Sequence, residues 1–186
     1  NFTVSNVGSC NNTPIILNDL STPAGSIKEW RWDFDDGQPP VVMTQPPFTH
    51  AFADTGIYTI RLTVVDQDGC QHTYRLPDSI LITRPKAGFT ADYTAVCPDA
   101  PVQFTDTSKG RSLSWYWEFG DGATSILQNP THTYTGTDSN YTVKLVITDE
   151  AGCQDSMVLN DRILVRTPKP AFSVTDTTTI CPPIAA

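Results

Sequence analysis

The sequence predicts an all-β chain built of tandem two-sheet sandwiches, and three observations carry that prediction. Trp30-Arg31-Trp32-Asp33-Phe34-Asp35-Asp36-Gly37 returns 85 positions later as Trp115-Tyr116-Trp117-Glu118-Phe119-Gly120-Asp121-Gly122. The copy extends outward, since Phe2 maps to Phe89 and Phe172, Cys10 to Cys97 and Cys181, and Gly69-Cys70 to Gly152-Cys153. Large apolar residues then fall on every second position of the longest apolar segments, the period of a half-buried strand. A repeat near 85 residues exceeds the solenoid range of about 20 to 50, so each copy should be a domain with its own core. The boundaries read as unit one over 1–85, unit two over 86–168 and the start of a truncated third over 169–186.

The elements follow in order. Strands are expected at Phe2 to Val4, Ile15 to Leu20, Trp30 to Phe34, Thr49 to Phe52, Tyr58 to Val64 and Ser79 to Thr83. Their counterparts run Phe89 to Ala91, Val102 to Asp106, Trp115 to Phe119, Thr131 to Tyr134, Tyr141 to Ile147 and Arg162 to Arg166. Trp30, Trp32 and Phe34 alternate, as do Trp115, Trp117 and Phe119, so three aromatics face one way in each unit and belong in the core. Asp36-Gly37 and Asp121-Gly122 end those strands with a dipeptide suited to a tight turn at positive φ. Asp54-Thr55-Gly56-Ile57-Tyr58 has the spacing of a tyrosine corner, whose phenol bonds back to upstream backbone. Unit two keeps Tyr141 but changes the approach, so that corner should be built differently. Nothing reads as a helix. About seven short strands per unit, separated by turn signals, indicate a sandwich of the immunoglobulin type.

Cysteine and charge set the surroundings. Once the units are aligned, Cys10 with Cys70 and Cys97 with Cys153 make one equivalent pair per unit, while Cys181 opens the third. Two intradomain disulfides are therefore expected, each closing a loop worth about 4 kcal/mol to a small domain in the chain-entropy account. Such bonds belong to an oxidising, extracellular compartment. No cysteine and histidine spacing supplies four zinc ligands. The net charge of −8 and the scattered twelve Lys and Arg disfavour nucleic acid. No apolar run has the length of a membrane-spanning helix. The linkers Arg84-Pro85-Lys86-Ala87 and Thr167-Pro168-Lys169-Pro170 are short and proline-stiffened, which predicts a semi-rigid rod growing by about 25 to 35 Å per unit.

Trp32-Asp33-Phe34-Asp35-Asp36-Gly37 and Trp117-Glu118-Phe119-Gly120-Asp121-Gly122 resemble the Trp-Asp-Phe-Gly-Asp-Gly signature of polycystic kidney disease (PKD) domains. His132-Thr133-Tyr134, Tyr141-Thr142-Val143 and Val146-Ile147-Thr148-Asp149 resemble the elements that follow in that family. Unit one offers His50-Ala51-Phe52, Tyr58-Thr59-Ile60 and Val64-Val65-Asp66, and departs where Asp35 replaces the first signature glycine. The resemblance implies a non-catalytic immunoglobulin-like module used in extracellular arrays and beside secreted hydrolases. The added cysteines are similar to those of repeats in large surface proteins of Bacteroidota, including adhesion proteins.

Several residues remain as candidates for chemistry. His50 and His132 are equivalent, but no Ser/His/Asp or Cys/His arrangement accompanies them, so no catalytic residue is assigned. Tyr116 points away from the core face and is the best single candidate for a ring exposed to a sugar, although Arg31 takes its place in unit one. Some PKD domains hold calcium near the signature and at later Asp turns. That nominates Asp36 and Asp66 in unit one and Asp121 and Asp149 in unit two, against the plain reading that these carboxylates cap turns. The segments Asp78-Ser79-Ile80, Asp155-Ser156-Met157 and Asp176-Thr177-Thr178 match an O-glycan acceptor pattern of exported Bacteroidota proteins, placing Ser79, Ser156 and Thr177 as sites, the first two at similar places before the last strand. The reading is a non-catalytic extracellular structural and adhesion stalk of repeated modules in a larger exported or surface-anchored protein, with no cofactor, calcium apart, whose partners are neighbouring repeats and, beyond them, surface polysaccharide or further copies. A polysaccharide- or substrate-binding accessory region of a secreted hydrolase and a self-associating filament or surface layer are the alternatives.

Overall fold

The computed structural model describes residues 1–77 and 80–171. Ser79, Thr177, Cys181 and nearly all of the expected third unit lie outside them. In unit one the strands are β1 (Phe2–Val4), β2 (Gly8–Cys10), β3 (Ile15–Asp19), β4 (Ile27–Asp33), β5 (Val41–Met43), β6 (Phe48–His50), β7 (Gly56–Tyr58), β8 (Arg61–Asp66), β9 (Gln71–Arg75) and β10 (Ile80–Thr83). Unit two comprises β11 (Phe89–Ala91), β12 (Ala95–Val96), β13 (Pro101–Asp106), β14 (Ser114–Glu118), β15 (Thr124–Ser125), β16 (Thr131–Thr133), β17 (Ser139–Thr148) and β18 (Gln154–Val165). The helical content among the described residues is one 3-10 turn, Ala24–Ser26.

Each unit is a sandwich of two sheets. One layer orders β1-β3-β6 and, in unit two, β11-β13-β16. The other layer of unit two is a single sheet, β12-β18-β17-β14-β15, with β12 parallel to β18. In unit one the corresponding layer is split into β5-β4-β8-β9 and β2-β10-β7. The split falls where unit two bulges between Tyr141 and Val143, so β17 continues as one strand where β7 and β8 are two. Period-two alternation accounts for the packing, because the inward positions of β4 with β8, and of β14 with β17, line one sheet face that packs on β1-β3-β6 or β11-β13-β16 over an aromatic centre. Trp32 and Trp117 are fully buried, each with a phenylalanine edge against its indole: Phe2 at 4.9 Å and Phe89 at 5.1 Å. Phe34 and Phe119 lie parallel to those indoles at 6.3 and 6.4 Å. The two cores are separate clusters.

The expected disulfides are corrected by strand length. Cys10 lies opposite Thr83, one step beyond the point where Ile82 faces Gly56. From Gly56, β7 and β8 run to Asp66, whose turn carries Cys70. Ten residues of strand at about 3.3 Å each put Cys10 and Cys70 at opposite poles, roughly 30 Å apart. A disulfide needs Cα atoms within about 7 Å. Unit two repeats the geometry, since Val96 faces Val165, Val165 faces Ser139, and β17 runs from there to the turn bearing Cys153. The bond instead joins the units: Cys10 pairs with Cys153, Cα to Cα 5.5 Å, across 143 residues of sequence. Cys70 and Cys97 are exposed free thiols.

Candidate functional site at the junction of the two units

Two local structures meet at the junction. On the unit-one side, β2 ends in a turn in which Asn11 N donates to Thr83 O at 3.0 Å, Asn12 N to Phe52 O at 2.7 Å and Thr13 N to Cys10 O at 3.1 Å. Asn12 takes a left-handed φ of 58°, which asparagine tolerates better than most residues. On the unit-two side, the Asp149 carboxylate Oδ1 accepts from Ala151 N and Cys153 N, each at 2.9 Å, and Gly152 turns the chain at a φ of 80°. That carboxylate is an internal cap, and docking leaves Asp149 only 6% exposed and Cys153 3% exposed.

The contacts between these pieces are close and specific. Ala151 packs so near Gly8 that a β-carbon added there would lie 3.4 Å from the alanine methyl. Thr83 Oγ1 donates to Cys153 Sγ at 3.1 Å. The linker is held by unit two: Ala87 N donates to Asp155 Oδ2 at 2.7 Å, and Lys86 and Lys109 exchange backbone hydrogen bonds of 2.8 Å. Unit one is therefore tied to unit two by the disulfide and by the Thr83 and Gly8 contacts, and the linker is anchored on unit two. Of these residues, sequence reasoning singled out the cysteines and Asp149. It missed Gly8, Thr83 and the role of Asp155, whose one signal was proximity to Cys153.

The signature turn forms a second repeated constellation. His50 Nε2 donates to Asp36 Oδ2 at 2.9 Å while its ring lies flat on Phe34, centroids 3.6 Å apart. His132 Nε2 donates to Asp121 Oδ2 at 2.7 Å and stacks on Phe119 at 4.2 Å. The other oxygen of each aspartate caps its own turn, accepting from Gln38 N or Ala123 N. Each His and Asp pair thus clasps the turn to the facing sheet. Burial raises the Asp121 pKa, but the hydrogen bonds from His132 and Ala123 outweigh it and hold the carboxyl below the ordinary range. Burial, and then the Asp121 charge, push the Tyr134 phenol well up, and its hydroxyl donates to Phe119 O at 3.2 Å.

The tyrosine corner forms in unit one, where Tyr58 OH donates to Asp54 O at 3.0 Å. Asp35 keeps the signature turn by adopting a φ of 57° where Gly120 has 89°. The structure does not bring the calcium candidates together. Asp36 lies beyond Asp33, which faces Arg61, whereas Asp66 faces Ile27 at the other end of the same strand pair. Asp121 and Asp149 are separated in the same way along β14 and β17. Among the described residues no group of three His, Cys, Asp or Glu side chains converges on one point.

Tyr116 is 46% exposed on the outer face of β14, and the sheet surface near it carries the Lys144–Glu118 ion pair and exposed Val158. Ser156 is exposed within β18 opposite Val146. Register corrects the suggested equivalence of Ser156 with Ser79. Val146 faces Ser156 as Thr63 faces Thr73, so Thr73 is the counterpart, and β18 passes through the region without the interruption found between β9 and β10.

Fold and junction together define a tandem array of immunoglobulin-like sandwiches. The PKD domain family matches residues 5–80 and again 83–165, so the chain belongs to that family and carries two of its domains. Human polycystin-1 is 30% identical over 116 residues, 60% of this chain and 2% of that protein. Collagenase ColA of Bacillus cereus is 46% identical over 48 residues, 26% of this chain and 5% of the relative, and a collagenase of Vibrio alginolyticus is 46% identical over 43 residues, 23% and 5%. The chain therefore spans a small fraction of the length of these relatives. Among solved structures, a C-terminal fragment of intimin bound to the intimin-binding domain of its translocated receptor shares the fold. Its TM-score is 0.56 at 7% identity over 86% of this chain and 62% of the other.

Proposed function

We propose that this segment is a non-catalytic, extracellular structural stalk, in which successive PKD units are locked end to end to hold other parts of a larger protein at a distance. The observation that carries this reading is the junction, where the Cys10–Cys153 bond, the Thr83–Cys153 hydrogen bond and the Gly8–Ala151 contact join unit one to unit two, while Lys86, Lys109 and Asp155 hold the linker on unit two. A disulfide of this kind supports an oxidising compartment. The clasping role of both histidines supports the absence of catalysis. An acidic surface of net charge −8 opposes self-association.

The free thiols supply the test. With Cys181→Ser removing the fifth cysteine, spin labels on Cys70 and Cys97 sit at the two far poles, and their separation should give one narrow distribution centred at about 50 to 70 Å, two units of strand length. Removing the bond with Cys10→Ser and Cys153→Ser should broaden that distribution. A broad distribution in the oxidised protein would overturn the stalk.

A second reading is favoured by the matches to collagenases. In it the pair is an accessory region that holds a secreted hydrolase on its substrate, with Tyr116 as the contact. Pull-down on insoluble polysaccharides and on collagen, with calcium and with chelator, tests it. Saturable binding lost on Tyr116→Ala would establish this reading, and no binding would remove it.

A further inference from the structure

The cysteines left unpaired stand where the paired ones stand. Cys97 repeats the setting of Cys10: Asp99 N donates to Tyr134 O at 2.9 Å as Asn12 N does to Phe52 O, Ala100 N to Cys97 O as Thr13 N does to Cys10 O, and Arg166 N to Val96 O. Asp99 has the left-handed φ of 64° that matches 58° at Asn12. Cys70 repeats the setting of Cys153. Cys70 N and Asp68 N donate to Asp66 Oδ1 at 2.8 and 3.0 Å, Asp66 N donates to Cys70 O at 3.0 Å, and Gly69 has a φ of 85°. The difference is cover. Cys153 is buried because unit one lies over it, whereas Cys70 and Cys97 face outward at opposite ends of the pair. Ala95, small like Gly8, holds the matching place beside Cys97.

We propose that Cys70 and Cys97 are half-cystines of further bonds between units. Cys97 joins the turn cysteine of a unit of this kind that follows, and Cys70 joins the β2-type cysteine of one that precedes. The stagger seen once would then repeat at every junction, and the array would be stapled covalently along its length. In each step two thiols lose their protons to solvent and form one S–S bond. The two electrons reduce an external disulfide such as oxidised glutathione to two thiols. This inference does not depend on whether the array serves as a stalk or as an accessory region.

The test duplicates residues 87–169 in tandem after Lys169 of the full chain carrying Cys181→Ser, so that a folded unit follows Cys97 across the native linker spacing and no further thiol competes. After refolding in a glutathione buffer, peptide mapping without reduction should show Cys97 bonded to the second copy of the turn cysteine and Cys10 to Cys153. Cys70 and the second copy of Cys97 should remain open to alkylation. The Cys97→Ser version, scored by its melting transitions, shows that the added unit folds without the bond. Full alkylation of Cys97 beside a folded added unit, or its bonding to Cys70 or between molecules, would overturn the proposal.

Discussion

Gly120→Ala should destabilise unit two selectively, because the signature turn is built differently in the two copies. Gly120 has a φ of 89°, and an added β-carbon would collide with the carbonyl oxygen of Thr142, a backbone atom of the central strand β17. A left-handed conformation costs an L-residue about 1 to 2 kcal/mol, and overpacking against a rigid neighbour about 1 to 3 more. The total is about 2 to 5 kcal/mol, against about 4 to 12 kcal/mol for the whole of a domain this size. At about 4 to 8 °C per kcal/mol, the unit-two transition should fall by about 10 °C or more. Unit one is the internal control. Its counterpart Asp35 already seats a β-carbon at a φ of 57°, so Asp35→Ala should cost less than about 1 kcal/mol and Asp35→Gly should be nearly neutral. Differential scanning calorimetry of the oxidised protein reads both transitions. A Gly120→Ala cost within about 0.5 kcal/mol of the Asp35→Ala cost would refute the reasoning.

Three further outcomes are expected. Tyr58→Phe should lose about 1 kcal/mol in urea unfolding with the corner bond to Asp54, whereas Tyr141→Phe, which has no such bond, should lose less. The Asp121 carboxyl sits below its ordinary pKa in the folded state, so its contribution is present above the unfolded value near 3.8 and is lost as pH falls through the folded one. The acid limb of a urea-midpoint profile should therefore flatten in Asp121→Asn, and an unchanged limb would count against the clasp. Tyr134 is shifted the other way, so its contribution is present below the unfolded value of about 10 and fades as pH rises above it. An alkaline loss of stability that Tyr134→Phe fails to reduce would remove that account.

Much of the sandwich was legible because burial writes a period of two into the chain. Tyr58 to Val64 and Tyr141 to Ile147 alternate as they do since one face of each meets an aromatic core, and the inward triplets of β4 and β14 are read from the same rule. The elements that escaped lack that imprint. β9 turns one partly buried ring, Tyr74, inward among four exposed polar residues, and β2 and β12 are short edge strands paired in parallel through backbone alone. Backbone pairing leaves little trace in side-chain choice. The same limit hid how the linker is held on unit two, through Lys86, Lys109 and Ala87 backbone groups and one carboxylate, Asp155.

The cysteines show a different limit, one of symmetry. A period with two cysteines has the same sequence whether they pair within a unit or stagger between units, because both patterns make Cys10 equivalent to Cys97 and Cys70 equivalent to Cys153. Periodicity identifies equivalent residues and is silent on which of them meet. The deciding quantity is the length of the strand between them, and β7 with β8 is long enough to carry Cys70 to the far pole. Mechanically the two patterns differ. An intradomain bond would strengthen each sandwich and leave the two units joined covalently by the linker alone, whereas the bond between Cys10 and Cys153 spans the linker, so a pulling force across the junction is shared by the peptide and the disulfide.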